Sequence, residues 1–225
     1  MGRNAPIRSN RRKELIESTI AVIAAYGYHG TTVSRVAKAA GVSTGLMNFH
    51  FESKDKLFEA VFQHLESEYD QVWQERIAAA PQEPWPLLNV MIETYFDREV
   101  FTGEKLAVWF AFWSDPALRD KFRDAATAVE RRYVKELERQ VLEILADHPA
   151  VEKVAQRATG ALSAMIDGFW LQALLYPKKF KTRDAVKSCI AFVQVIELYY
   201  RQERELADLR RELTGQRAPK SPEKT

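Results

Sequence analysis

The sequence predicts an all-α protein in which a small N-terminal three-helix unit is joined by a long helix to a larger helical body. Apolar side chains recur at three- and four-residue spacing along most of the 225 residues, which is the periodicity of amphipathic helices. Glycine and proline are scarce, with nine of each, and most of them stand between the periodic segments. The apolar content of 46% and the charged content of 28% are ordinary for a chain with a buried core.

The N-terminal unit begins with two helices. Residues 11–26 predict the first, since their apolar side chains share one face and Gly27 follows them. The pair Thr31-Thr32 offers a hydroxyl group that can cap a second helix. Gly41 ends this second helix after about two turns.

Two serines mark the helices that follow. Ser43 can cap a short third helix that reaches Phe49 or His50, and Ser53 can cap a long fourth helix. The apolar stripe of the fourth helix continues to Ile77, which corresponds to a length of about 40 Å at 1.5 Å per residue. The N-terminal unit is therefore expected to be joined to the body by a rigid rod.

Five further helices are predicted after the linker candidate at residues 81–84, and they complete the body. Their predicted spans are 86–100, 104–113, a segment from Pro116 to about Ala146, a segment from Pro149 to Tyr176, and a segment that begins at about Thr182. The chain thus divides into an N-terminal unit of residues 1–52, a body of residues 53–213 and a tail of residues 214–225 that is expected to be disordered.

Composition argues against several classes of protein. The single cysteine, Cys189, excludes an internal disulfide and a thiolate metal cluster, and a reducing cytoplasm fits that content. The four histidines lack the spacing of a metal site, so no metal, no cofactor and no enzymatic activity are expected. Residues 158–177 are long enough to span a membrane, but Asp167 lies near the middle, where a carboxylate is costly. A buried helix is therefore expected, and no membrane partner is expected.

Charge is distributed unevenly along the chain. Residues 1–60 contain nine Lys or Arg and five Asp or Glu, a net charge of +4, and the rest of the chain carries −2, which together give the total of +2. A basic N-terminal unit on a mildly acidic body suggests that this unit binds an anion, and nucleic acid is the natural candidate.

The second and third predicted helices have the spacing of a helix-turn-helix unit, with Gly41-Val42-Ser43 as the turn. In such a unit the third helix lies in the major groove of DNA. This placement explains the unusual composition of the third helix, which begins with small residues and ends with aromatic ones.

Each side chain of the third helix then has an expected role. Thr44 and Gly45 are small and let the backbone approach DNA, Asn48 can pair with adenine or bind a phosphate, and Phe49 can contact a thymine methyl group or a sugar. His50 and Lys54 can reach phosphates. The full predicted DNA-binding set is Thr32, Ser34, Arg35, Thr44, Gly45, Asn48, Phe49, His50 and Lys54.

The run GYHGTTVSRVAKAAGVSTGLMNFHFESKDKLFEAV resembles the DNA-binding domain of the TetR family of bacterial transcriptional regulators. The shared features are the glycine before helix 2, the Thr-Thr cap, the Ala-Gly-Val-Ser turn and the Phe-x-x-Lys-x-x-Leu entry to helix 4. The family often has tyrosine where this chain has Asn48, and arginine where it has Ser34. The resemblance implies a homodimeric repressor that binds a palindromic double-stranded DNA operator and is released by a small-molecule effector.

The body also resembles one subgroup of that family. The runs AVWFAFWSDPALRDKF and ALSAMIDGFWLQALL are similar to the BetI type, choline-responsive repressors of betaine-synthesis genes. The resemblance implies that the last two helices of each subunit form a dimer interface. Gly160, Ala164 and Gly168, spaced by four, offer a smooth ridge for it, and close packing within one chain is the alternative.

An aromatic ligand site is one interpretation of the body. Trp109, Phe112 and Trp113 lie at i, i+3 and i+4, and Asp167 and Trp170 are three residues apart. If these faces meet, aromatic rings and a carboxylate surround a cavity that suits a cationic or aromatic metabolite. The alternative is that these aromatics are plain core.

If Asp167 is buried, it must have a partner, and a helix N-terminus, Tyr133 or Arg132 would serve without any ligand. The predicted ligand-binding set is Trp109, Phe112, Trp113, Tyr133, Asp167 and Trp170. A second functional hypothesis is a DNA-binding protein that acts structurally or is controlled by a protein partner, with no small-molecule ligand.

Overall fold

The computed structural model describes residues 4–146 and 151–214, which form nine α-helices and no strand. The helices are α1 Asn4–Gly30, α2 Val33–Ala39, α3 Thr44–His50, α4 Lys54–Ala79, α5 Pro84–Thr94, α6 Gly103–Ser114, α7 Pro116–Ile144, α8 Val151–Leu175 and α9 Thr182–Thr214. The predicted all-α class is confirmed. The helix start predicted at Pro149, and the predicted tail from residue 215 onward, lie outside the described residues.

The first helix is longer than its apolar periodicity indicates. It begins at Asn4 rather than at residue 11, and it continues past Gly27 to Gly30. Gly27 nevertheless interrupts it, because its φ of 68° and ψ of 175° are not helical. The predicted helix end is therefore a kink, after which a further turn leads into α2.

The turn between α2 and α3 is a Schellman motif. The Gly41 N–H donates to the Lys38 carbonyl at 3.3 Å, and the Val42 N–H donates to the Ala37 carbonyl at 2.9 Å. Gly41 has a φ of 64°, in the left-handed region that favours glycine. This geometry stops α2 abruptly and sets the direction in which α3 leaves.

Hydroxyl groups cap four of the helices in the same way. Thr32, Ser43, Ser53 and Thr102 each accept a hydrogen bond from the backbone N–H three residues further on, at 3.2–3.3 Å. The predicted caps at Ser43 and Ser53 are confirmed. Each such cap contributes about 1 kcal/mol by satisfying an N–H group that the helix leaves without a partner.

The described residues form two hydrophobic cores. We call the first the N-terminal core; its buried residues are Leu15, Ile16, Ile20, Val22, Ile23, Val36, Ala37, Met47, Phe51, Leu57, Phe58, Ala60, Val61, Phe62, Leu65, Val108, Phe112 and Leu118. The second, the body core, contains buried residues from Tyr69 on α4 to Val193 on α9. The predicted division at residue 52 passes through the N-terminal core, because α4 and α6 both contribute to it.

The helix predicted over 86–100 is shorter than expected. It begins at Pro84, where a proline is tolerated in the first turn, and it ends at Thr94. Asp97 organises the loop that follows: its carboxylate accepts the Glu99 N–H at 2.9 Å and pairs with the Arg76 guanidinium. These two bonds, one within the loop and one to α4, are found where the apolar periodicity predicted a continued helix.

The apolar run in α8 packs against the body core, as expected. Leu162, Ile166 and Trp170 are buried on its inner face. No helix among the described residues is both long enough and apolar enough to cross a membrane. Burial raises the pKa of the Cys189 thiol to about 11, so this thiol stays protonated and unreactive.

Replacing Gly41 with alanine should lower the free energy of unfolding by about 1 kcal/mol. A methyl group at Gly41 meets no atom within 4 Å, so the cost comes from the left-handed backbone alone. Gly45→Ala, at the second residue of α3, is the matched control and should be neutral or stabilising. Chemical denaturation of both variants measures the difference, and equal stabilities would contradict the assigned geometry.

Candidate functional site

Helix α3 presents one face to solvent. Met47 on its inner face is 1% exposed and anchors the helix in the N-terminal core. Thr44 and Asn48 are exposed on the other side, and 64% of the Phe49 side chain is accessible. A large aromatic ring on the surface costs solubility, so its position is best explained by a binding partner. Thr44, Asn48 and Phe49, three of the predicted contact residues of α3, are thus exposed.

Gly45 lies on the same exposed face. A Cβ atom added there would meet only the Ser43 hydroxyl oxygen at 3.7 Å, an ordinary contact. Nothing within the chain therefore requires glycine at this position. The absence of a side chain remains useful for a close approach by an external surface, as predicted for DNA.

The predicted contact residues of α2 are exposed but partly engaged. The Thr32 hydroxyl caps α2 through the Arg35 N–H, and Ser34 is exposed. The Arg35 guanidinium donates to the Gly30 carbonyl and lies 4.3 Å from the centre of the Tyr26 ring. Arg35 is thus held against the end of α1. A phosphate that binds Arg35 would have to compete with the Gly30 carbonyl for the guanidinium group.

His50 and Lys54 lie at the end of the exposed face. The His50 ring is half-buried, with its centre 5.4 Å from Phe49 and 6.3 Å from Phe51. The Lys54 ammonium donates to the Tyr28 carbonyl at 3.3 Å and lies over the Tyr28 ring. Lys54 therefore ties α4 to α1, and its predicted contact with phosphate stays a prediction.

A cavity of about 520 Å³ lies in the body, within the size range of small-molecule sites. Its lining comes from α4, α6, α7, α8 and the turn that follows α5. The lining residues are Glu66, Tyr69, Tyr95, Trp109, Phe110, Trp113, Tyr133, Ile166, Asp167, Gly168, Trp170 and Leu171. The structure thus brings together five of the six residues predicted to bind a ligand: Trp109, Trp113, Tyr133, Asp167 and Trp170.

Three tryptophans form a stack on one side of the cavity. The ring centres of Trp113 and Trp170 are 6.2 Å apart, as are those of Trp109 and Trp113, and both pairs are nearly parallel. The Trp170 indole N–H donates to the Tyr95 carbonyl at 3.1 Å, which fixes the orientation of that ring. Aromatic faces with their negative potential are therefore held in position before any ligand binds.

Three tyrosines, Tyr69, Tyr95 and Tyr133, also line the cavity. The rings of Tyr69 and Tyr133 meet edge to face at 4.9 Å, and Tyr69 and Tyr95 lie 6.0 Å apart. Burial raises the pKa of the Tyr133 hydroxyl to about 12 and that of Tyr69 well above its usual range. Both phenols are therefore neutral at physiological pH.

Glu66 contributes a carboxylate to the cavity. Its Oε1 atom is buried and has no hydrogen-bond partner within the described part of the chain. Loss of solvation raises the pKa of Glu66, and the positive charge of Arg132 opposes part of this rise. Burying a carboxylate without a partner is costly, so this group is expected to be compensated by something that enters the cavity.

Arg132, Asp70 and Tyr133 form a network beside the cavity. The Asp70 carboxylate accepts from the Arg132 guanidinium at 2.5 Å and from the Tyr133 hydroxyl at 3.1 Å. Asp167 is an exposed residue of the cavity lining, so the condition of burial under which it needs a partner is not met. Tyr133 and Arg132, the two side chains suggested as partners for it, both bind Asp70.

The prediction that Phe112 lines the cavity was wrong. Phe112 is buried in the N-terminal core, where its ring lies 5.3 Å from Phe62. The reason is helix geometry: successive residues are about 100° apart, so Phe112 and Trp113 project to different sides of α6. Trp109 lies between these two directions and contacts both Phe62, at 5.7 Å, and Trp113.

The sequence prediction missed Glu66 and Tyr69. Both lie on α4, which we interpreted only as a connecting rod. A glutamate one turn before a tyrosine on an otherwise apolar stripe was the available signal, because such a stripe has no structural use for a carboxylate. In the part of the chain that the structure describes, no three His, Cys, Asp or Glu side chains are placed to hold a metal ion.

A helix-turn-helix unit with an exposed third helix, fused to an all-helical body with an aromatic cavity, defines a DNA-binding transcriptional regulator. The family of bacterial regulatory proteins called tetR matches residues 15–61, and the family described as BetI-type transcriptional repressor, C-terminal, matches residues 86–197. The chain belongs to the TetR family of transcriptional regulators, with a BetI-type C-terminal domain. It therefore binds DNA and is not an enzyme.

Relatives named "HTH-type transcriptional regulator BetI" are similar over most of their length. The protein of Paraburkholderia xenovorans is 30% identical over 190 residues, which cover 84% of this chain and 95% of the relative. The protein named BetI 2 of Chromohalobacter salexigens is 32% identical over 176 residues, covering 78% and 83%.

Two solved structures share the fold. A protein of Pseudomonas aeruginosa PAO1 described as a transcriptional regulator superimposes with a TM-score of 0.69 at 30% identity, covering 84% of this chain and 91% of that one. A regulator from Saccharomonospora viridis, solved in complex with choline, has a TM-score of 0.63 at 21% identity, covering 83% and 96%.

Asn48→Ala and Gly45→Ala should each weaken DNA binding by 10-fold or more without loss of stability. The Asn48→Ala variant loses a base or phosphate contact of about 1–3 kcal/mol. In Gly45→Ala, the new methyl group obstructs the approach of the α3 backbone to DNA. Fluorescence anisotropy on a duplex selected from a random library, at fixed salt, measures the loss. Gln74→Ala, exposed on the body part of α4, is the control. Unchanged affinity for DNA in both test variants would contradict the assignment of α3 to the DNA interface.

Proposed function

We propose that this regulator is a repressor whose release from DNA is triggered by a small organic cation of the choline class bound in the aromatic cavity. The observation that carries the proposal is the buried Glu66 Oε1 atom, which has no hydrogen-bond partner among the described residues and lines a cavity walled by aromatic faces. A quaternary ammonium group cannot donate a hydrogen bond, but it neutralises a carboxylate and is attracted to ring faces within about 6 Å.

The cavity combines the two features that such a cation needs. The aromatic rings of Trp109, Trp113 and Trp170 and the carboxylate of Glu66 share one lining. Asp167, an exposed residue of the same lining, adds negative potential. The choline bound in the structure from Saccharomonospora viridis, and the BetI name of the relatives, support the same ligand class.

The homodimer and the palindromic operator are part of the proposal. The outer face of α8 bears Gly160, Ala161 and Ala164, all exposed, and a Cβ atom added at Gly160 or Gly168 would meet nothing within 4 Å. A second copy can approach this smooth face closely. Two such subunits would present two α3 helices to successive major grooves, about 34–36 Å apart.

Helix α6 is the proposed link between the cavity and the DNA-binding unit. Trp109 and Trp113 line the cavity, while Val108 and Phe112 on the same helix belong to the N-terminal core. A ligand that displaces α6 therefore shifts the packing of α1 and α4, and with it the spacing of the two DNA-binding units. A 100-fold preference for the incompetent spacing corresponds to about 2.7 kcal/mol of coupling.

Control by a protein partner is the alternative function. It predicts a body that is packed throughout, because nothing would need to enter. The open cavity of about 520 Å³, with a carboxylate in its wall, favours the small-molecule hypothesis instead.

Glu66→Gln should change ligand affinity and protein stability in opposite directions. The variant should bind choline at least 10-fold more weakly, because the counter-charge is lost, yet unfold at a higher temperature, because a poorly solvated carboxylate is removed. Calorimetric titration and thermal denaturation measure the two effects. Glu75→Gln, an exposed carboxylate on the same helix, should change neither. Choline binding that survives Glu66→Gln unchanged would contradict the proposed role of Glu66.

The affinity for choline should also fall as the pH is lowered. The raised pKa of Glu66 means that its carboxylate takes up a proton at a higher pH than an ordinary glutamate, and the neutral form no longer attracts the cation. Arg132 limits this rise, and Asp167 is the other acidic group of the lining. Titrations from pH 8 to about pH 4 should show a fall in wild type that is reduced in Glu66→Gln.

Choline should release the wild-type protein from its operator, and the double variant Trp109→Ala, Trp170→Ala should stay bound. A footprint on the DNA upstream of the protein's own gene, with increasing choline, tests both statements. A metabolite screen by thermal shift accompanies the footprint. If operator binding responds to no cation in the screen, the proposal of a cationic effector is contradicted, whereas the assignment as a DNA-binding regulator is not.

A further inference from the structure

Helix α9 extends well past the body that it packs against. It runs for 33 residues, Thr182–Thr214, which is about 50 Å. Its buried residues are Ala185, Cys189 and Val193, and none after Val193 is buried among those whose exposure the structure describes. Ile196, half-buried, is the last residue of α9 that packs against the body core. The remaining 18 residues, about 27 Å of helix, extend past that core.

This extension carries an apolar stripe. Its large exposed residues, with their accessible fractions, are Val195 63%, Leu198 54%, Tyr199 53%, Leu206 55%, Leu209 53% and Leu213 86%. Leucines on a solvated helix with no partner are costly, and a run of them on one face indicates an interface. The BetI-type domain match ends at residue 197, so most of the stripe lies beyond it.

The spacing of the stripe is that of a coiled coil. Positions 195, 199, 202, 206, 209 and 213 alternate steps of four and three residues, which places them at d and a of successive heptads. Gln202 is the one polar residue among them. Ion pairs lie on the opposite side: Arg201 with Glu197 at 2.8 Å and Arg211 with Asp208 at 3.2 Å occupy the outer c and f positions. The a/d seam is thus apolar except at Gln202.

Charge at the flanking positions selects the kind of partner. Glu205 stands at g and Arg210 at the following e, so a parallel pair of identical helices brings Glu205 of each copy against Arg210 of the other. An antiparallel pair would set Glu205 against g residues, none of which is basic. Residues 201–211 contain four arginines and three carboxylates, a balance that does not suit an anionic membrane surface.

We infer that residues 195–213 form a parallel two-stranded coiled coil with the same segment of a second copy. This inference rests on the proposed homodimer and adds to it a second contact that is separate from the face of α8. The coil would keep two subunits together while the body changes shape around a ligand. The spacing of the DNA-binding units can then change without dissociation of the dimer.

Cysteine cross-linking of the full chain tests the register. In a Cys189→Ala background, Gln202→Cys and Leu209→Cys occupy two d positions, where equivalent Cα atoms of a parallel pair lie close enough for a disulfide. Both should form a covalent dimer under mild oxidation. Arg204→Cys, at an outward f position of the same helix, is the matched control and should remain reduced.

Sedimentation separates the failure of this inference from the failure of the homodimer. A protein that sediments as a dimer but forms no disulfide at either d position, or forms one equally at residue 204, would overturn the coil alone. A protein that sediments as a monomer would overturn both. A disulfide at only one of the two d positions indicates an antiparallel crossing and overturns the parallel register.

Weakening the seam should weaken the dimer. Leu206→Lys with Leu209→Lys is expected to raise the dimer dissociation constant at least 10-fold, while choline binding in the cavity and the thermal stability of the body are retained. Arg204→Lys is the control. An unchanged dissociation constant would overturn the inference. It would also be overturned if the wild-type protein binds phosphatidylserine vesicles and the double lysine variant does not.

Discussion

The ring of Phe62 on α4 packs against Trp109 and Phe112 on α6, with ring centres 5.7 and 5.3 Å away, and the rest of the structure depends on this contact. It makes α6 a member of two cores, since Val108 and Phe112 complete the N-terminal core while Trp109 and Trp113 face the cavity. Closely packed aromatic rings do not yield by small amounts, so a displacement on one side of α6 is passed to the other. The DNA-binding unit is therefore not an independent module on a flexible tether. Its orientation is fixed by the same helix that walls the cavity.

The cavity keeps a feature that lowers stability. A carboxylate at Glu66, with one oxygen buried and without a partner in the described residues, is unfavourable for the folded protein alone. Tyrosines and tryptophans close around it without donating a hydrogen bond to that oxygen, although Trp170 and Tyr133 both have polar groups that find partners elsewhere. A site with unsatisfied charge gains more from a cation than a site that is already neutralised. In the proposed function, the free energy lost in the ligand-free state is the source of selectivity for a cation.

Local signals allowed the helices to be predicted, whereas the site depended on contacts that are remote in sequence. Ser43, Ser53 and Gly41 act within one turn of themselves, and the structure has caps and a Schellman motif where they stand. Asp97 ended α5 early through a bond to Arg76, a residue on another helix that no local pattern reveals. Phe112 and Trp113 are adjacent and apolar, yet they belong to different cores because the helix turns by about 100° between them. The side of a helix that meets a cavity is decided by its neighbours, and periodicity alone does not identify it.

The size of the proposed switch is consistent with the number of contacts available to operate it. A 100-fold change in DNA affinity needs about 2.7 kcal/mol, and an aromatic pair contributes about 0.5–1.5 kcal/mol beyond its buried area. Trp109 alone takes part in two such pairs, one with Phe62 and one with Trp113. Rearrangement of these two pairs and of the Trp113–Trp170 stack is therefore enough to account for the coupling. No large refolding is required, because the two α3 helices of the proposed dimer would lose their fit to successive major grooves when their spacing changes by a few ångströms.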